Sequence, residues 1–127
     1  MHTRTLGPFT VSALGLGCMN LSHAYDVAPP FDQAERLLLR ALDLGITHFD
    51  TAALYGFGAN EELLGKVLPR HRSRITLAAK GGMYGIDGKR VIDGRPQTLL
   101  RQFEESLKRL RTDTVDVFYL HRWDKHV

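Results

Sequence analysis

Runs of apolar residues alternate with helical patterns along most of the chain, and this alternation constrains the fold more than any other feature. The predicted strands are residues 13–17, 46–50, 75–79 and 115–120, and the predicted helices begin near Asp32, Asn60 and Pro96. The strands are apolar at consecutive positions instead of every second one, which is typical of strands buried on both faces. A repeated strand–helix order with such strands predicts an α/β fold with a parallel sheet.

Capping and breaking residues mark the ends of the predicted helices. Asp32 is predicted to be the N-cap of the first helix, and Gly45 ends that helix. Asn60 is predicted to cap the second helix, with Glu61 and Glu62 in its positive first turn. The third helix, residues 96–110, is predicted to bury an apolar stripe formed by Leu99, Leu100, Phe103, Leu107 and Leu110.

The segments outside this alternation are predicted to be short strands and loops. Residues 4–14 predict two strands about a turn at Gly7-Pro8. Residues 18–30 and the glycine-rich, charged residues 83–95 predict loops. Gly15 and Gly17 resemble the start of a dinucleotide-binding fingerprint, but its third glycine and the helix that should follow are absent. A strand with close backbone approach is the simpler interpretation of these two glycines.

Composition and charge narrow the class of protein. A chain of 127 residues with 43% hydrophobic and 24% charged residues is typical of one globular domain. Its net charge of +3 comes from scattered basic residues without interleaved aromatic residues, so nucleic acid is not an expected partner, whereas a small anionic ligand is compatible. The single cysteine, Cys18, excludes an internal disulfide and gives no metal cluster. No run approaches the ~20 apolar residues of a membrane span, so we expect no membrane partner and take the cytoplasm as the default location.

Polar side chains follow the ends of three predicted strands. Asp50 ends the second strand, Lys80 follows the third and His121 follows the fourth, while Tyr55 lies on a glycine-flanked loop just after Asp50. The carboxyl ends of the strands meet at one rim of a parallel barrel, so we expect these four side chains to lie close together. A carboxylate can hold an ammonium, an adjacent ammonium stabilises a phenolate, and an imidazole can orient a carbonyl oxygen.

Each of these four residues also has an ordinary structural explanation. Asp50 could cap a turn, Tyr55 could be an amphipathic aromatic at the rim, Lys80 could be solvated, and His121 could be a hydrogen-bonded structural histidine. Their shared position at the strand ends, not any single identity, indicates a catalytic site. The nearby His48 lies inside the second strand and is interpreted as structural.

Four motifs around these residues resemble one known family. They are Gly-Ile-Thr-His-Phe-Asp50-Thr-Ala-Ala-Leu-Tyr55-Gly, Asn60-Glu-Glu-Leu-Leu-Gly65, Ala-Ala-Lys80-Gly-Gly, and Val-Asp-Val-Phe-Tyr-Leu-His121-Arg. In this order, and over about residues 6–123, they resemble the aldo-keto reductases. The resemblance implies a TIM-barrel oxidoreductase that uses NADPH to reduce aldehydes or ketones, with NADH not excluded. The amino-terminal strand pair resembles the hairpin that closes the bottom of the family's barrel.

The resemblance also implies roles for individual residues. Asp50, Tyr55, Lys80 and His121 would form the catalytic tetrad, in which Tyr55 donates a proton to the carbonyl oxygen and His121 helps to position the substrate. Gly17, Cys18 and Met19 match the turn that lies beside the nicotinamide ribose, and Asp50 would join them in binding the cofactor. The residues implied to contact a small carbonyl substrate are Tyr55, His121, Arg122 and Trp123. Ordinary packing at the rim is an equal alternative for Trp123.

The length of the chain departs from the family's pattern. An eight-unit barrel takes ~250 residues, so residues 1–127 are expected to form its amino-terminal half, with about four βα units and an end after strand four. The loops after strands seven and eight, which ordinarily bind a cofactor phosphate, would be missing. The chain could be a piece of a longer protein, or a half-barrel that associates with itself through its exposed edges. Its function is correspondingly either carbonyl reduction or that of a non-catalytic remnant, a binding or regulatory subunit.

Overall fold

The computed structural model describes residues 1–22 and 27–127. Within them the strands are β1 (Thr3–Leu6), β2 (Phe9–Ser12), β3 (Leu16–Gly17), β4 (His48–Asp50), β5 (Thr76–Gly81), β6 (Met83–Ile86), β7 (Lys89–Ile92) and β8 (Val117–Leu120). The helices are α1 (Phe31–Asp43), α2 (Ala59–Val67) and α3 (Pro96–Leu110). The predicted loop at residues 18–30 begins with a short 3-10 turn, Met19–Leu21, and includes residues 23–26, which lie outside the described residues.

A parallel sheet forms the centre of the fold, and its strand order β3-β4-β5-β8 is also their order along the chain. The pairing sets Gly17 beside Asp50, and Lys80 beside Tyr119. The predicted α/β architecture with parallel strands is therefore confirmed. The first parallel strand is shorter than predicted, because the Ala13 N–H instead extends the preceding hairpin by donating to the His2 carbonyl oxygen at 2.8 Å.

One face of the sheet packs against the helices and forms the hydrophobic core. The core includes Phe49 of β4, Leu77 and Ala79 of β5, Leu38 of α1, Leu64 of α2 and Leu110 of α3. Successive side chains of a strand point to opposite faces, so Asp50, Ala78 and Lys80 lie on the other face of the sheet. That face corresponds to the interior of a barrel, and it carries the polar groups expected at the rim.

Two antiparallel hairpins accompany the sheet. β1 pairs with β2 about Gly7-Pro8, as predicted for residues 4–14. The prediction of a loop at residues 83–95 is wrong, because β6 pairs with β7 there. The turn between them is Asp87-Gly88, with φ angles of 49° and 73°. Asp-Gly is a favoured pair for the two central residues of such a hairpin turn, since both take positive φ.

The starts of α1 and α2 also differ from the predictions. The N-cap of α1 is Pro30, and Asp32 lies within the first turn, where it accepts a hydrogen bond from Arg36 at 2.9 Å. The N-cap of α2 is Gly58, and Asn60 is fully buried inside the helix. Both side chains serve contacts other than their own helix's first N–H groups, so neither acts as the predicted cap.

The buried face of α3 is more polar than predicted. The bounds of the helix agree with the prediction, but the residues it buries are Thr98, Gln102, Ser106 and Leu110, and Leu100 is 61% exposed. Gln102 Oε1 accepts the Gly82 N–H at 2.6 Å, and Thr98 donates to Asp93 at 2.7 Å. The buried stripe of α3 therefore supplies partners for polar groups of the neighbouring loops, which an apolar stripe could not.

The outer strands of the sheet are open on one side within the described residues. β3 and β8 each pair with one neighbour only. Strand β8 was predicted to be buried, yet Tyr119 and Leu120 are 39% and 51% exposed. Its apolar sequence is that of an interior strand of a barrel, whereas its position here is that of an edge.

Candidate active site

Lys80 lies at the centre of a polar cluster at the carboxyl edge of the sheet. Its ammonium donates to Asp50 Oδ1, to the Thr51 carbonyl oxygen at 3.0 Å and to the Tyr55 phenol oxygen at 3.1 Å. The side chains of Lys80 and Asp50 are 16% and 28% exposed, so water reaches the pair only in part. An ammonium has three N–H donors, and each of them has an acceptor here.

A tight turn after β4 brings Tyr55 back to Lys80. In the 3-10 turn Tyr55–Gly58, φ is 58° at Gly56, 51° at Phe57 and 98° at Gly58. Glycine takes these angles without strain, whereas Phe57 takes them only where its surroundings hold it. Gly85 of β6 supplies part of those surroundings, because a Cβ there would lie 2.2 Å from the Phe57 ring. The β6–β7 hairpin therefore packs directly on the turn that positions Tyr55.

His121 follows β8 and lies beside Tyr55. Its backbone N–H donates to the Gly81 carbonyl oxygen at 2.8 Å, and its ring meets the Tyr55 ring edge-on with centroids 5.6 Å apart. Burial, followed by the positive charges of Lys80 and Arg122, lowers the pKa of His121 from its ordinary value of 6.5. Its Nδ1 is buried and has no hydrogen-bond partner within the described residues. Because its pKa is lowered, the imidazole beside the phenol favours its neutral form near neutral pH.

The four side chains predicted for the rim therefore do lie together. Asp50 and Tyr55 contact Lys80 directly, and His121 contacts Tyr55. The cluster can present a phenol whose oxygen is held by an ammonium, beside a neutral imidazole. Such a group can donate a proton to an oxygen placed next to it.

One member of the cluster was missed by the sequence analysis. Thr51 is fully buried, and it meets Lys80 through its backbone carbonyl oxygen. Every residue type carries that oxygen, so the sequence contains no signal for the contact.

The three residues predicted to lie beside the nicotinamide differ in their exposure. Gly17 is exposed, and nothing lies within 4 Å of the position that a Cβ would take there. Met19 is partly buried, whereas Cys18 is fully buried and its Sγ lies 3.5 Å from the Leu16 carbonyl oxygen. Burial raises the pKa of the Cys18 thiol to about 12. Open space at this turn is therefore found at Gly17, beside Asp50.

The two residues after His121 are exposed. Trp123 is 73% exposed, with the Lys125 ammonium 5.7 Å from its ring centroid, and Arg122 is also exposed. Asp124 anchors this segment, because it accepts the Gly94 and His126 N–H groups at 3.0 Å each. Arg122 and Trp123, two of the predicted substrate contacts, are therefore accessible from solvent.

Two further findings concern the described residues as a whole. No set of three or more histidine, cysteine, aspartate and glutamate side chains among them is arranged to hold a metal ion. Their helices also lack the combination of length and apolar character required to cross a bilayer.

Comparison with known proteins identifies the family. Residues 13–127 match the model of the aldo/keto reductase family. The chain belongs to the aldo/keto reductase family. The sequence resemblance is thereby confirmed over nearly all of the chain.

Individual aldo-keto reductases are similar to this chain in sequence and in structure. The aldo-keto reductase yakc [NADP(+)] of Schizosaccharomyces pombe is 38% identical over 126 residues, which cover 95% of this chain and 36% of that protein. The holo form of AKR11C1 from Bacillus halodurans superposes with a TM-score of 0.83 at 38% identity, covering 94% of this chain and 40% of that one. The glycerol dehydrogenase AKR11B4 from Gluconobacter oxydans superposes with a TM-score of 0.87 at 32% identity, covering 98% and 40%.

The chain thus spans less than half the length of these aldo-keto reductases. The superpositions and the parallel sheet with its amino-terminal hairpin confirm the predicted fold, the first half of a TIM barrel.

Proposed function

We propose that this chain carries the proton-transfer half of an NADPH-dependent carbonyl reductase, which converts an aldehyde or ketone to an alcohol. The observation that carries the proposal is the Lys80 ammonium, which bonds both Asp50 and the Tyr55 phenol at the carboxyl edge of the sheet. Family membership supports the reaction class, and the name of the S. pombe relative specifies NADP(+).

In this proposal, Tyr55 is the proton donor. As hydride from the cofactor would form a C–H bond at the carbonyl carbon and break the C=O π bond, the carbonyl oxygen would take the phenol proton. The products would be an alcohol and a tyrosinate, which water re-protonates. Lys80 stabilises the negative charge that develops on the phenol oxygen, and Asp50 holds the ammonium in place. His121, neutral and without a partner for Nδ1 within the described residues, can orient the substrate oxygen.

The cofactor fits this site at its reactive end. NADPH, when bound, supplies the hydride. The open space at Gly17 lies beside Asp50 in the neighbouring strand, and this suits a flat ring held close to the backbone. We propose that Gly17, Met19 and Asp50 hold the nicotinamide end, with Cys18 contributing through the backbone, since its thiol is buried. NADH would supply the same hydride.

The substrate is proposed to be a small carbonyl compound that reaches Tyr55 and His121 from the exposed side of the rim. Arg122 and Trp123 follow His121 directly and are exposed. Their side chains are therefore available to contact the part of the substrate that extends away from the carbonyl group.

A second candidate function is supported by the open edges of the sheet. Strands β3 and β8 have one neighbour each in the part of the chain that the structure describes. Such a half-barrel could act as a binding or regulatory subunit without turnover.

A kinetic experiment separates these two candidates. The chain is incubated with NADPH and a simple aldehyde, and NADPH oxidation is followed for the parent and for Tyr55→Phe. We expect the rate to fall by on the order of 10²-fold or more in Tyr55→Phe. Tyr84→Phe is the matched control, because Tyr84 lies on β6 and its ring faces Arg101 instead of Lys80. Equal rates in the parent and Tyr55→Phe would contradict the catalytic proposal, and equal rates together with weak or absent NADPH binding would favour the non-catalytic subunit.

A further inference from the structure

A buried asparagine ties together the loops that carry the catalytic candidates. Asn60 is 0% exposed. Its Oδ1 accepts the Thr51 hydroxyl at 2.6 Å, and its Nδ2 donates to the Cys18 carbonyl oxygen at 2.7 Å and to Ser22 Oγ at 2.9 Å. A single side chain thereby joins the loop after β3, the loop after β4 and the start of α2.

Thr51 connects this asparagine to the catalytic cluster. Its side chain bonds Asn60, its N–H donates to the Ala78 carbonyl oxygen at 2.9 Å, and its own carbonyl oxygen accepts from Lys80 Nζ at 3.0 Å. A shift of the Thr51 side chain therefore moves one of the acceptors of the Lys80 ammonium.

The direction of the ammonium depends on those acceptors. Two of its three N–H donors are taken by Asp50 and the Thr51 carbonyl oxygen, and the remaining one points at the Tyr55 phenol 3.1 Å away. Tetrahedral geometry at nitrogen links the three directions. Fixing the first two acceptors therefore fixes the hydrogen bond to the phenol.

Asn60 also holds the turn that carries Tyr55, at the end where the turn enters α2. The turn begins after Thr51 and runs through Gly56 and Gly58, both with positive φ, into α2, where Asn60 is the second residue. The hydrogen bond between the Thr51 hydroxyl and Asn60 Oδ1 therefore joins the two ends of the segment that carries Tyr55.

We propose that Asn60 is a positioning residue for the Lys80–Tyr55 pair and acts on it through Thr51. The inference rests on the proposed function for its catalytic consequence, while its geometric part concerns this chain alone. A helix cap would bond N–H groups of its own helix, whereas the partners of Asn60 lie 9, 38 and 42 positions away. A residue that only stabilised the fold would not alter the Lys80–Tyr55 contact when it was replaced without unfolding the chain.

The test uses two variants that break the connection at different points. Thr51→Val keeps the shape of the side chain and removes the hydroxyl, and Asn60→Ala removes all three bonds. Thr51→Ser keeps the hydroxyl and is the conservative comparison. Thr98→Val is the matched control, because Thr98 is also buried and donates to a side-chain oxygen at a similar distance, 2.7 Å, but at the start of α3.

Two readouts are taken after circular dichroism has confirmed that each variant is folded. The first is the nitrogen signal of the Lys80 ammonium in protein labelled with ¹⁵N-lysine, identified by its loss in Lys80→Met. The second is the rate of NADPH oxidation with an aldehyde, separated into kcat and KM. We expect the Lys80 signal to move in Thr51→Val and Asn60→Ala and to stay in place in Thr51→Ser and Thr98→Val. In Thr51→Val and Asn60→Ala we also expect kcat to fall on the order of tenfold, with KM changed by less than about twofold.

The outcomes distinguish the positioning role of Asn60 from the proposed function. An unchanged Lys80 signal in folded Thr51→Val would overturn the positioning role, even if Asn60→Ala failed to fold. An equal change in Thr98→Val would do the same, because it would show a general response to loss of a buried hydroxyl. A parent chain without Tyr55-dependent turnover, combined with a Lys80 signal that responds as expected, would contradict the proposed function and leave the positioning role supported.

Discussion

Glu61 of α2 has no exposed side-chain surface and accepts a hydrogen bond from Arg109 Nε of α3 at 2.6 Å. The two residues are 48 positions apart and connect helices that pack closely. Burial raises the pKa of the Glu61 carboxyl, and the Arg109 guanidinium acts in the opposite direction. The interaction thus keeps a carboxylate inside the protein that would otherwise be costly to bury.

Replacing Arg109 is expected to destabilise the fold in a pH-dependent way. Arg109→Met leaves a buried carboxylate without its partner, and we expect a loss of about 3 kcal/mol in the free energy of unfolding near neutral pH. Burial already raises the pKa of Glu61 above 4.5, and loss of the Arg109 charge raises it further, so the stability of the variant falls as pH rises from 4.5 through the raised pKa. Urea unfolding at acidic and neutral pH measures both effects. Arg101→Met is the control, since Arg101 is exposed and lies 3.9 Å from Glu105 on the surface, and an equal loss there would contradict the prediction.

Replacing Gly65 is expected to destabilise the protein, because α2 packs closely against α3 at this position. A Cβ at Gly65 would lie 2.0 Å from the Arg109 carbonyl oxygen, so Gly65→Ala forces α2 and α3 apart. Alanine favours a helix interior by about 1 kcal/mol over glycine, yet we expect a net destabilisation of about 2 kcal/mol in denaturant unfolding. Gly17→Ala is the counterpart, because a Cβ there meets nothing within 4 Å. It should leave stability nearly unchanged and weaken NADPH binding, and a stable Gly65→Ala variant would refute the packing argument.

His121 is expected to make the folded state less stable in acid. Its pKa in the folded protein lies below the ordinary value of 6.5, chiefly because it is buried. As the pH falls through 6.5 the unfolded state takes up a proton that the folded state does not, so stability decreases until the folded pKa is reached. His121→Gln should make the free energy of unfolding, measured in urea, depend less on pH. The measurement runs from about pH 5 to pH 7.5, the range in which histidine ordinarily titrates. The exposed His2 provides the control substitution, and an undiminished decrease in His121→Gln would disprove the assignment.

The open edges of the sheet are expected to bring two copies of the chain together. A two-fold axis along the barrel would set β8 of one copy beside β3 of the other with all strands parallel, which is how two four-stranded halves complete a barrel. We therefore expect a dimer in analytical sedimentation, weakened by Leu120→Lys at the half-exposed edge position. Leu100→Lys, on the exposed side of α3, serves as the control. A monomer with a native circular dichroism spectrum would rule out this association.

The sequence predicted the parts of the fold that depend on local pattern. The α3 bounds, the β1–β2 hairpin and the parallel sheet follow from apolar periodicity and from glycine and proline at the turns. The meeting of Asp50, Lys80 and Tyr55 was also predictable, because each follows from its position relative to a parallel strand. The β6–β7 hairpin could have been recognised as well, since Asp87-Gly88 is a strong hairpin signal between two extended segments.

Other features depended on contacts between distant residues. Glu61 and Asn60 stand in the first turn of α2, where an acid and an asparagine are ordinarily exposed. Their burial depends on Arg109 and on Thr51 and Cys18, which approach only in the folded chain. The exposure of β8 was equally beyond local pattern, because an apolar strand gives no indication of whether a neighbour covers it.

The strand order β3-β4-β5-β8 has a consequence for how the protein is made. Within the described residues, each parallel strand after β3 docks on the parallel strand that was synthesised before it. The sheet can therefore grow on the ribosome one strand at a time, with the helices α1, α2 and α3 closing over each addition. By the time His121 leaves the exit tunnel, the hydrogen bonds of Lys80 to Asp50 and Tyr55 can already have formed, because all three residues precede His121 in the chain.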